Sequence, residues 1–381
     1  MSYRYNFMNH IDYMQRAYEL ARKGRGRTSP NPMVGAVIVK GGRLIAQGWH
    51  KYYGGDHAEV DAIKKAGVKA SGATLYVTLE PCCHFGLTPP CTDAIIKAGI
   101  KKVVVGVLDP NPITHGRSVK ILRQAGIAVS LGFLQEELTR MNEAFHKYIQ
   151  TQWPFVTAKC AQTIDGKIAT ASGQSQWITS EKARAFAHRK RDEFDAIMVG
   201  INTVLQDDPG LNPTWKDKIL KKIVVDSTLR IPLGATLFKG VRPSDVIVAT
   251  TARASKKKMQ QMIKRGIQVW AAPAKGQHGH VDLRWVMRKL GKQRIAHVLI
   301  EGGGRLIGRA LKDGLVDRMM VYIAPKIIGD QNAASAIAGL NVRNLQKALV
   351  LKDMTVQKIG EDFLIEGRIH VHRHHRTIRH R

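Results

Sequence analysis

Two stretches of the sequence decide the fold of the chain: H-A-E (His57–Glu59) and P-C-C-H-F-G-L-T-P-P-C (Pro81–Cys91). A catalytic zinc ion takes three protein ligands and keeps a fourth position open, and one imidazole and two thiolates can supply these three ligands. The sequence therefore predicts a zinc site whose ligands are His57, Cys82 and Cys91.

Glu59 gives this site its predicted chemistry. It follows His57 by two residues, so its carboxylate can carry the proton that a zinc-activated water loses. His-x-Glu followed by Pro-Cys and a second Cys is the general pattern of zinc nucleobase deaminases, which replace an amine on a heterocycle with oxygen. A structural zinc is the alternative, but such sites usually close with four protein ligands. We expect Cys83 to point away from the metal, because it is adjacent to Cys82.

The segments around the site alternate between helical and strand patterns. The predicted elements are helix Ile11–Lys23, a turn that leads into a buried strand over Asn31–Lys40, strand Leu44–Trp49, a helix that begins at His57, strand Thr74–Leu79, helix Thr92–Ala98, strand Val103–Val107 and helix Ser118–Ala125. Asp56 is expected to cap the helix that begins at His57. This alternation predicts an α/β domain in which helices lie on the faces of a mixed sheet.

A second run of strands follows K-Y-I-Q-T-Q-W-P (147–154), which we expect to be a short polar connection, and the domain boundary is placed after residue 150. The predicted strands are Phe155–Ala161, Ala196–Val199, Ile223–Asp226, Val246–Ala249, Val298–Glu301 and Met319–Ala324. Because the two halves lack self-similarity, the second is a different α/β fold rather than a duplication. The glycines of I-E-G-G-G-R-L-I-G (Ile300–Gly308) suit a backbone that approaches a phosphate at a helix start, and a plain flexible turn is the alternative.

The chain is strongly basic, with 60 Lys and Arg against 30 Asp and Glu and a formal net charge of +30. Such a surplus suits nucleic acid, an acidic membrane surface or phosphorylated small molecules. The basic residues are spread along the whole chain, so we expect no nucleic-acid partner. No apolar run is long enough for a membrane span, and Met1–His10 lacks the apolar region of a secretory signal. Since Cys160 is alone outside the zinc segment, we expect no disulfides and a cytoplasmic location.

Several motifs of the first half together resemble one family. N-P-M-V-G-A-V-I-V, H-A-E-V, Y-V-T-L-E-P-C-C-H-F-G-L-T-P-P-C and D-P-N-P are similar to the deaminase half of the bifunctional riboflavin-biosynthesis deaminase–reductases. Deaminases of nucleic acids and free nucleosides typically place their two cysteines two residues apart, whereas the loop between Cys82 and Cys91 is longer. The resemblance implies a cytidine-deaminase-like α/β/α sandwich in residues 1–150, with His57, Cys82 and Cys91 as Zn²⁺ ligands and Glu59 as the proton shuttle.

The second half resembles the reductase half of the same family. Its motifs are K-C-A-Q-T-I-D-G-K-I-A (159–169), S-Q-W-I-T-S (175–180), L-Q-D-D-P-G-L (205–211) and V-D-S (225–227). The resemblance implies a dihydrofolate-reductase-like α/β domain in residues 151–372 that uses NADPH. It implies cofactor contacts from Ala161, Trp177, Thr203, Asp207, Ser227, Gly303, Gly304, Arg305, Leu306, Ile307, Gly308 and Arg309. It implies substrate contacts from Ser175, Arg191, Leu211 and Glu301.

Two positions depart from the pattern of this family. The family usually has arginine where Leu87 stands, and a further arginine follows D-D-P-x-L-T-V where this chain has Thr214. A guanidinium binds phosphate or carbonyl oxygens with a rigid fork of donors, so each departure removes one such contact to the substrate.

The predicted function is zinc-dependent hydrolytic deamination of a diaminopyrimidine ribosyl phosphate, followed by NADPH-dependent reduction of its ribosyl group to ribityl. Two alternatives stay open: a tRNA- or nucleobase-editing deaminase, which the basic charge favours, and a zinc-stabilised scaffold with one or both sites inactive, which the departures favour. The expected partner is the phosphorylated pyrimidine, and the resemblance implies a homo-oligomer. The basic His- and Arg-rich residues 373–381 are expected to be a disordered tail.

Overall fold

A computed structural model describes residues 9–370, so the predicted tail at 373–381 lies outside the described residues. The chain divides into two units between Trp153 and Pro154, whereas the sequence placed the boundary after residue 150. Each unit has its own buried apolar core. No helix within residues 9–370 is long and apolar enough to cross a membrane.

The first unit wraps helices around one five-stranded sheet. In chain order its elements are α1 (His10–Arg22), β1 (Gly35–Lys40), β2 (Arg43–Trp49), α2 (Ala58–Ala66), β3 (Thr74–Leu79), α3 (Cys91–Lys97), β4 (Lys102–Val107), α4 (Arg117–Gln124), β5 (Ala128–Leu131), α5 (Gln135–Met141) and α6 (Glu143–Thr151). The strand order is β2-β1-β3-β4-β5, with β1 antiparallel to both of its neighbours and β3, β4 and β5 parallel. Strands β1, β3 and β4 are buried along almost their whole length, which requires cover on both faces of the sheet.

Two local predictions in this unit are wrong. The segment expected to be a polar connection is mostly helix α6, which buries Tyr148 and ends at Gln152, where φ is +58°. Asp56 does not cap helix α2, because its carboxylate binds Lys64 Nζ at 2.6 Å. His57 is the N-cap residue instead and makes no side-chain capping hydrogen bond, so its ring is available to the site described below.

The second unit is built on a nine-stranded sheet. Its elements are β6 (Phe155–Thr163), β7 (Lys167–Ala169), α7 (Glu181–Lys190), β8 (Ala196–Gly200), α8 (Ile201–Asp207), β9 (Lys221–Val225), β10 (Val246–Thr250), α9 (Lys256–Lys264), β11 (Gln268–Ala271), β12 (Ala274–Lys275), β13 (His280–Val281), α10 (Leu283–Lys292), β14 (His297–Glu301), α11 (Gly304–Lys312), β15 (Arg318–Ala324), β16 (Ala334–Ser335), β17 (Val350–Ile359) and β18 (Asp362–His370). The strand order is β11-β10-β9-β8-β14-β6-β15-β18-β17, parallel from β11 to β15 and antiparallel at β18 and β17.

The sheets confirm the predicted fold class of two different mixed α/β domains. The predicted strands of the second half are all present, but the final hairpin of β17 and β18 was not predicted. Strand β17 lies at the sheet edge and is exposed at most positions, so it lacks the alternation of buried and exposed residues that marks a half-buried strand.

Candidate functional site

His57, Cys82 and Cys91 come together in the first unit as a possible metal site. Their ligand atoms all lie within 4.8 Å of one another. His57 Nδ1 lies 3.2 Å from Cys91 Sγ and 3.5 Å from Cys82 Sγ. Tetrahedral zinc with ordinary Zn–N and Zn–S bonds separates its nitrogen and sulfur ligands by about 3.5 Å. The three side chains therefore fit a zinc ion in both donor type and spacing.

Two helix starts and one strand end position these side chains. His57 immediately precedes α2, Cys91 is the first residue of α3, and Cys82 follows the end of β3. The backbone N–H of Cys91 donates to Cys82 Sγ at 3.4 Å, and the N–H of Thr92 donates to the carbonyl of Cys82 at 3.2 Å. Helix α3 thus holds the two cysteines against each other.

The hydrogen bonds at Cys82 favour its thiolate, which is the form that binds a metal. The Cys91 thiol, followed by His57 and the backbone of Cys91, lowers the pKa of Cys82 to about 4 despite its burial. The hydrogen bond that the His57 ring donates to the Cys82 sulfur, together with the negative charges of Glu59, Cys82 and Asp56, raises the pKa of His57. The cluster therefore carries negative charge on sulfur where a cation would sit.

Glu59 lies beside the cluster, in the first turn of α2. Its side chain is 97% buried and within hydrogen-bond reach of Cys91. Burial is the main cause that raises the pKa of Glu59 to about 6. A buried carboxylate beside the three possible metal ligands, and outside their group, suits proton transfer better than ligation.

The remaining residues of the cysteine loop lie around this cluster. Cys83 does not belong to the group of possible ligands, and its Sγ lies 3.9 Å from the carbonyl of Ile113. Thr88 Oγ1 lies 3.4 Å from His57 Nε2, the ring nitrogen on the side away from the sulfurs. Leu87 is 70% exposed, so the departure from arginine presents an apolar side chain to solvent.

The second unit contains a cavity of about 1620 Å³ that gathers the residues implied for the reductase. The lining residues among them are Ala161, Trp177, Thr203, Asp207, Ser227, Gly303, Gly304, Arg305, Leu306, Ile307 and Arg309 for the cofactor, and Ser175, Arg191, Leu211 and Glu301 for the substrate. Gly308 does not line the cavity: a Cβ at this position would come within 1.8 Å of the carbonyl oxygen of Ala338. Gly308 therefore has a packing role in α11, and its implied cofactor contact stays a prediction.

Glu301 is the centre of a charge cluster at the floor of this cavity. Lys159 Nζ donates to one carboxylate oxygen at 3.1 Å, and Arg191 donates through Nε and Nη2 at 3.0 and 3.1 Å. Burial alone would raise the pKa of Glu301, but the charges of Lys159 and Arg191 outweigh it and lower the pKa to about 2. Lys159 begins one of the family motifs, yet nothing in the sequence pairs it with a glutamate so far along the chain.

The loop between β14 and α11 has the backbone conformation that its glycines allow. Gly302 and Gly303 have φ values of +75° and +66°, which residues with a Cβ rarely adopt. The loop leads into the start of α11, where unpaired backbone N–H groups favour a phosphate. Two further lining residues bond to each other, since Ser175 Oγ donates to Asp207 Oδ1 at 3.0 Å.

A basic group of Arg253, His278, His280 and Arg309 lines the same cavity, and the sequence analysis named only Arg309 of these four residues. Arg253 donates to the carbonyl of His278 at 2.7 Å, and Arg309 donates to the carbonyl of Val281 at 2.6 Å. The N–H of Val281 donates to Ser227 Oγ at 3.2 Å, which fixes the β12–β13 hairpin beside a cofactor residue. Burial is the main cause that lowers the pKa of His280, and the positive charges of the group add to it.

Thr214, the second departure from the family pattern, forms hydrogen bonds with the carboxylate of Asp192. Its N–H donates to Asp192 Oδ1 at 2.7 Å, and its hydroxyl donates to Asp192 Oδ2. Thr214 is not among the residues that line the cavity. The side chain therefore anchors its loop to the turn that follows α7 and does not line the cavity.

Comparison with known families covers both units. Residues 8–107 match the family model "Cytidine and deoxycytidylate deaminase zinc-binding region", and residues 154–365 match "RibD C-terminal domain".

Relatives span nearly the whole chain. The riboflavin biosynthesis protein RibD of Actinobacillus pleuropneumoniae is 45% identical and aligns over 94% of this chain and 95% of its own length. That of Escherichia coli K12 is 40% identical over 92% of this chain and 96% of its own length. The solved RibD structure from Acinetobacter baumannii (form 1) has a TM-score of 0.84 at 37% identity, over 94% of this chain and 98% of that chain. A deaminase/reductase from Thermotoga maritima has a TM-score of 0.80 at 36% identity, with the same coverage.

Proposed function

Since this chain belongs to the RibD family and is a bifunctional deaminase and reductase of riboflavin biosynthesis with zinc and NADPH as cofactors, we propose which of its residues perform each reaction. The zinc ligands are His57, Cys82 and Cys91, and the proton carrier is Glu59. The observation that carries this assignment is the nitrogen-to-sulfur spacing of 3.2 and 3.5 Å beside a buried carboxylate.

In the deaminase, water replaces the amine of the pyrimidine. Zinc held by three side chains supplies a water of lowered pKa as the nucleophile. Glu59 accepts the proton of that water and passes it to the departing amine, so that one water enters and one ammonia leaves. The burial of Glu59 keeps this transfer between the two reacting groups rather than with bulk solvent.

In the reductase, we assign the cofactor to the cavity residues named above and the substrate to the end of the cavity at Ser175, Arg191, Leu211 and Glu301. NADPH supplies a hydride when bound there. The fixed, ionised carboxylate of Glu301 suits an acceptor of hydrogen bonds from ribosyl hydroxyl groups, because Lys159 and Arg191 lock its orientation.

We assign the basic group of Arg253, His278, His280 and Arg309 to the extra phosphate that distinguishes NADPH from NADH. It lies against Ser227 through the β12–β13 hairpin, at the end of the cavity assigned to the cofactor. Guanidinium and imidazole groups together form the kind of site that recognises phosphate oxygens. At the Glu301 end of the cavity, Arg191 already forms a salt bridge with Glu301. Arg191 is therefore less suited than the basic group to bind this phosphate.

The substrate is a small phosphorylated pyrimidine. We further propose that the protein is located in the cytoplasm and forms a homo-oligomer. Four free cysteines support the reducing compartment. The tRNA-editing and scaffold hypotheses are not favoured, because both domains of the family are present. Light scattering on the purified chain tests the oligomer, and a monomeric mass would contradict it.

Coupled turnover tests the proposed function as a whole. The purified chain, given the diaminopyrimidine ribosyl phosphate and NADPH, should release ammonia and then oxidise NADPH. Supplied with the deaminated compound, it should oxidise NADPH without releasing ammonia. Tight tRNA binding that weakens steeply with salt, together with base deamination, would favour the editing enzyme instead.

A further inference from the structure

The loop between Cys82 and Cys91 brings the hydroxyl of Thr88 to the outer edge of the His57 ring. Thr88 Oγ1 lies 3.4 Å from His57 Nε2, while Nδ1 of the same ring lies 3.2 Å from Cys91 Sγ and 3.5 Å from Cys82 Sγ. Eight residues separate the two cysteines, which gives the loop the length to fold back over His57. The two ring nitrogens therefore have different partners, one set in the possible metal site and one in the loop.

The local structure of the loop fixes the position of Thr88. The N–H of Gly86 donates to the carbonyl of Thr88 at 3.1 Å, which closes the tip of the loop. Pro89 and Pro90 follow, and a residue that precedes a proline is confined to extended backbone conformations. The next residue, Cys91, is the first residue of α3. A stiff segment that ends on a possible metal ligand thus holds the Thr88 hydroxyl.

The ring of His57 depends on its neighbours for its orientation. His57 is the N-cap residue of α2, but its side chain makes no capping hydrogen bond. The buried ring of His50 lies edge-on to the His57 ring, with 5.2 Å between their centres. If the His57 ring turned over, carbon atoms would take the places of Nδ1 and Nε2, and the contacts with the sulfurs and with Thr88 would both be lost. The Thr88 hydroxyl therefore favours the orientation in which Nδ1 faces the sulfurs.

The chemistry of a histidine ligand supplies the reason for such a contact. A neutral imidazole that binds a metal through Nδ1 carries its one hydrogen on Nε2, and this N–H needs an acceptor. Hydrogen bonds of this kind orient the ligand ring and raise its basicity, and their removal typically weakens metal binding about 10- to 100-fold. The oxygen of the Thr88 hydroxyl can accept this hydrogen bond.

We infer that Thr88 is a positioning residue of the deaminase, whose hydroxyl accepts a hydrogen bond from His57 Nε2 and so keeps Nδ1 directed at the metal. The inference rests on the proposed zinc ligands His57, Cys82 and Cys91. It gives the long loop a task besides that of carrying two of these ligands.

The test measures the Kd for zinc in the full chain by competition with a chelator of known affinity. Thr88→Val keeps the branched shape but lacks the hydroxyl, so it should raise this Kd about 10- to 100-fold. Thr88→Ser keeps the hydroxyl and should bind zinc within about three-fold of wild type. Thr139→Val is the control, because the hydroxyl of Thr139 is exposed on α5 and donates to the carbonyl of Gln135. This control should bind zinc as wild type does.

Two further measurements separate metal binding from folding. The melting temperature of metal-free Thr88→Val should match that of the metal-free wild type, because the residue is only half-buried. NADPH oxidation with the deaminated substrate should be unchanged in every variant. Thr88→Ala also lacks the hydroxyl and should show the same loss of zinc affinity, so it decides the test if Thr88→Val does not fold.

A Kd for zinc within about two-fold of wild type in the variants without the hydroxyl would overturn the inference. An equal loss in Thr88→Ser and Thr88→Val would also overturn it, since that result assigns the effect to the shape of the side chain. A wild-type chain that binds no zinc is a separate result, which overturns the proposed ligands themselves.

Discussion

At the scale of single residues, the role proposed for Glu59 is proton transfer without metal binding. Because it lies outside the ligand group, Glu59→Gln should lower the deaminase kcat roughly 100- to 10,000-fold while zinc content stays at one ion per chain. Ammonia release and metal analysis measure the two effects.

The matched control is Asp61→Asn in the same helix. The carboxylate of Asp61 binds Lys51 at 3.3 Å and Lys65 at 2.7 Å, so it is tied to surface lysines rather than to the cluster. Asp61→Asn should keep deaminase activity. If Glu59→Gln retained full activity, or lost its zinc, the assigned role of Glu59 would be wrong.

The shifted pKa values of two buried groups, His297 and Glu301, predict how the stability of the second unit depends on pH. Burial lowers the pKa of His297 to about 3, and Glu301 has a pKa of about 2. The unfolded chain therefore takes up a proton at His297 below about pH 6.5, and at Glu301 below about pH 4.5, while the folded chain does not. The free energy of unfolding should fall as the pH falls from 6.5, more steeply below 4.5, by up to about 1.4 kcal/mol per pH unit for each group.

Urea unfolding of wild type and His297→Gln between pH 7 and 4.5 checks this sign. The variant lacks the titrating imidazole, so its unfolding free energy should depend less on pH across that range. Equal slopes for the two proteins would show that another group governs the acid response.

At the scale of elements, the β12–β13 hairpin is expected to set cofactor choice. Arg253→Gln removes a guanidinium of the basic group and should raise the Kd for NADPH about 10-fold, since a hydrogen bond to a charged group contributes roughly 1.5 kcal/mol or more. The Kd for NADH should stay the same, because NADH lacks the phosphate. Fluorescence titration with both nucleotides measures the difference.

Arg265→Gln serves as the control for Arg253→Gln. Arg265 is an exposed arginine at the end of α9 that bonds the carbonyl of Leu233 and does not line the cavity. Its replacement should leave both affinities unchanged. Parallel weakening of NADPH and NADH in Arg253→Gln would instead indicate a structural role for the hairpin.

The close packing of helix α11 at Gly308 predicts that a larger side chain there destabilises the protein. A methyl group at Gly308 would overlap the backbone at Ala338, so Gly308→Ala should lower the free energy of unfolding by about 1–3 kcal/mol. Gly234→Ala is the comparison, because a Cβ at Gly234 meets no atom within 4 Å. Chemical denaturation of both variants gives the values, and equal stability would contradict the close approach of α11 to residue 338.

At the scale of the whole molecule, the two chemistries should be separable. The apolar core of the first unit and that of the second share no residue, and the three proposed zinc ligands all belong to the first unit. Removing zinc with a chelator should abolish ammonia release, while NADPH oxidation with the deaminated substrate continues. Loss of both activities would show that the second unit depends on the metal.

The sequence by itself determined which residues form the possible metal site, His57, Cys82 and Cys91. Its ligands lie within 35 residues, and each is marked by a local signal: a helix start, a strand end followed by Pro81, and a cysteine that opens a helix. Local signals of this kind depend on short-range steric preferences and on which side chains bind metals. Both can be inferred from the sequence alone. Local signals fail where packing against the rest of the fold decides whether a polar segment is a loop or a helix. The predicted connection that is mostly helix α6 is such a case.

Only the tertiary structure determined which residues meet around Glu301 in the reductase cavity. Lys159, Arg191 and Glu301 come from segments far apart in the chain, and Lys159 and Glu301 meet because β14 lies beside β6. Strand order and register depend on hydrogen bonds between distant segments, which no single stretch of sequence specifies. For the same reason the contact of Gly308 with residue 338 became visible only in the folded chain.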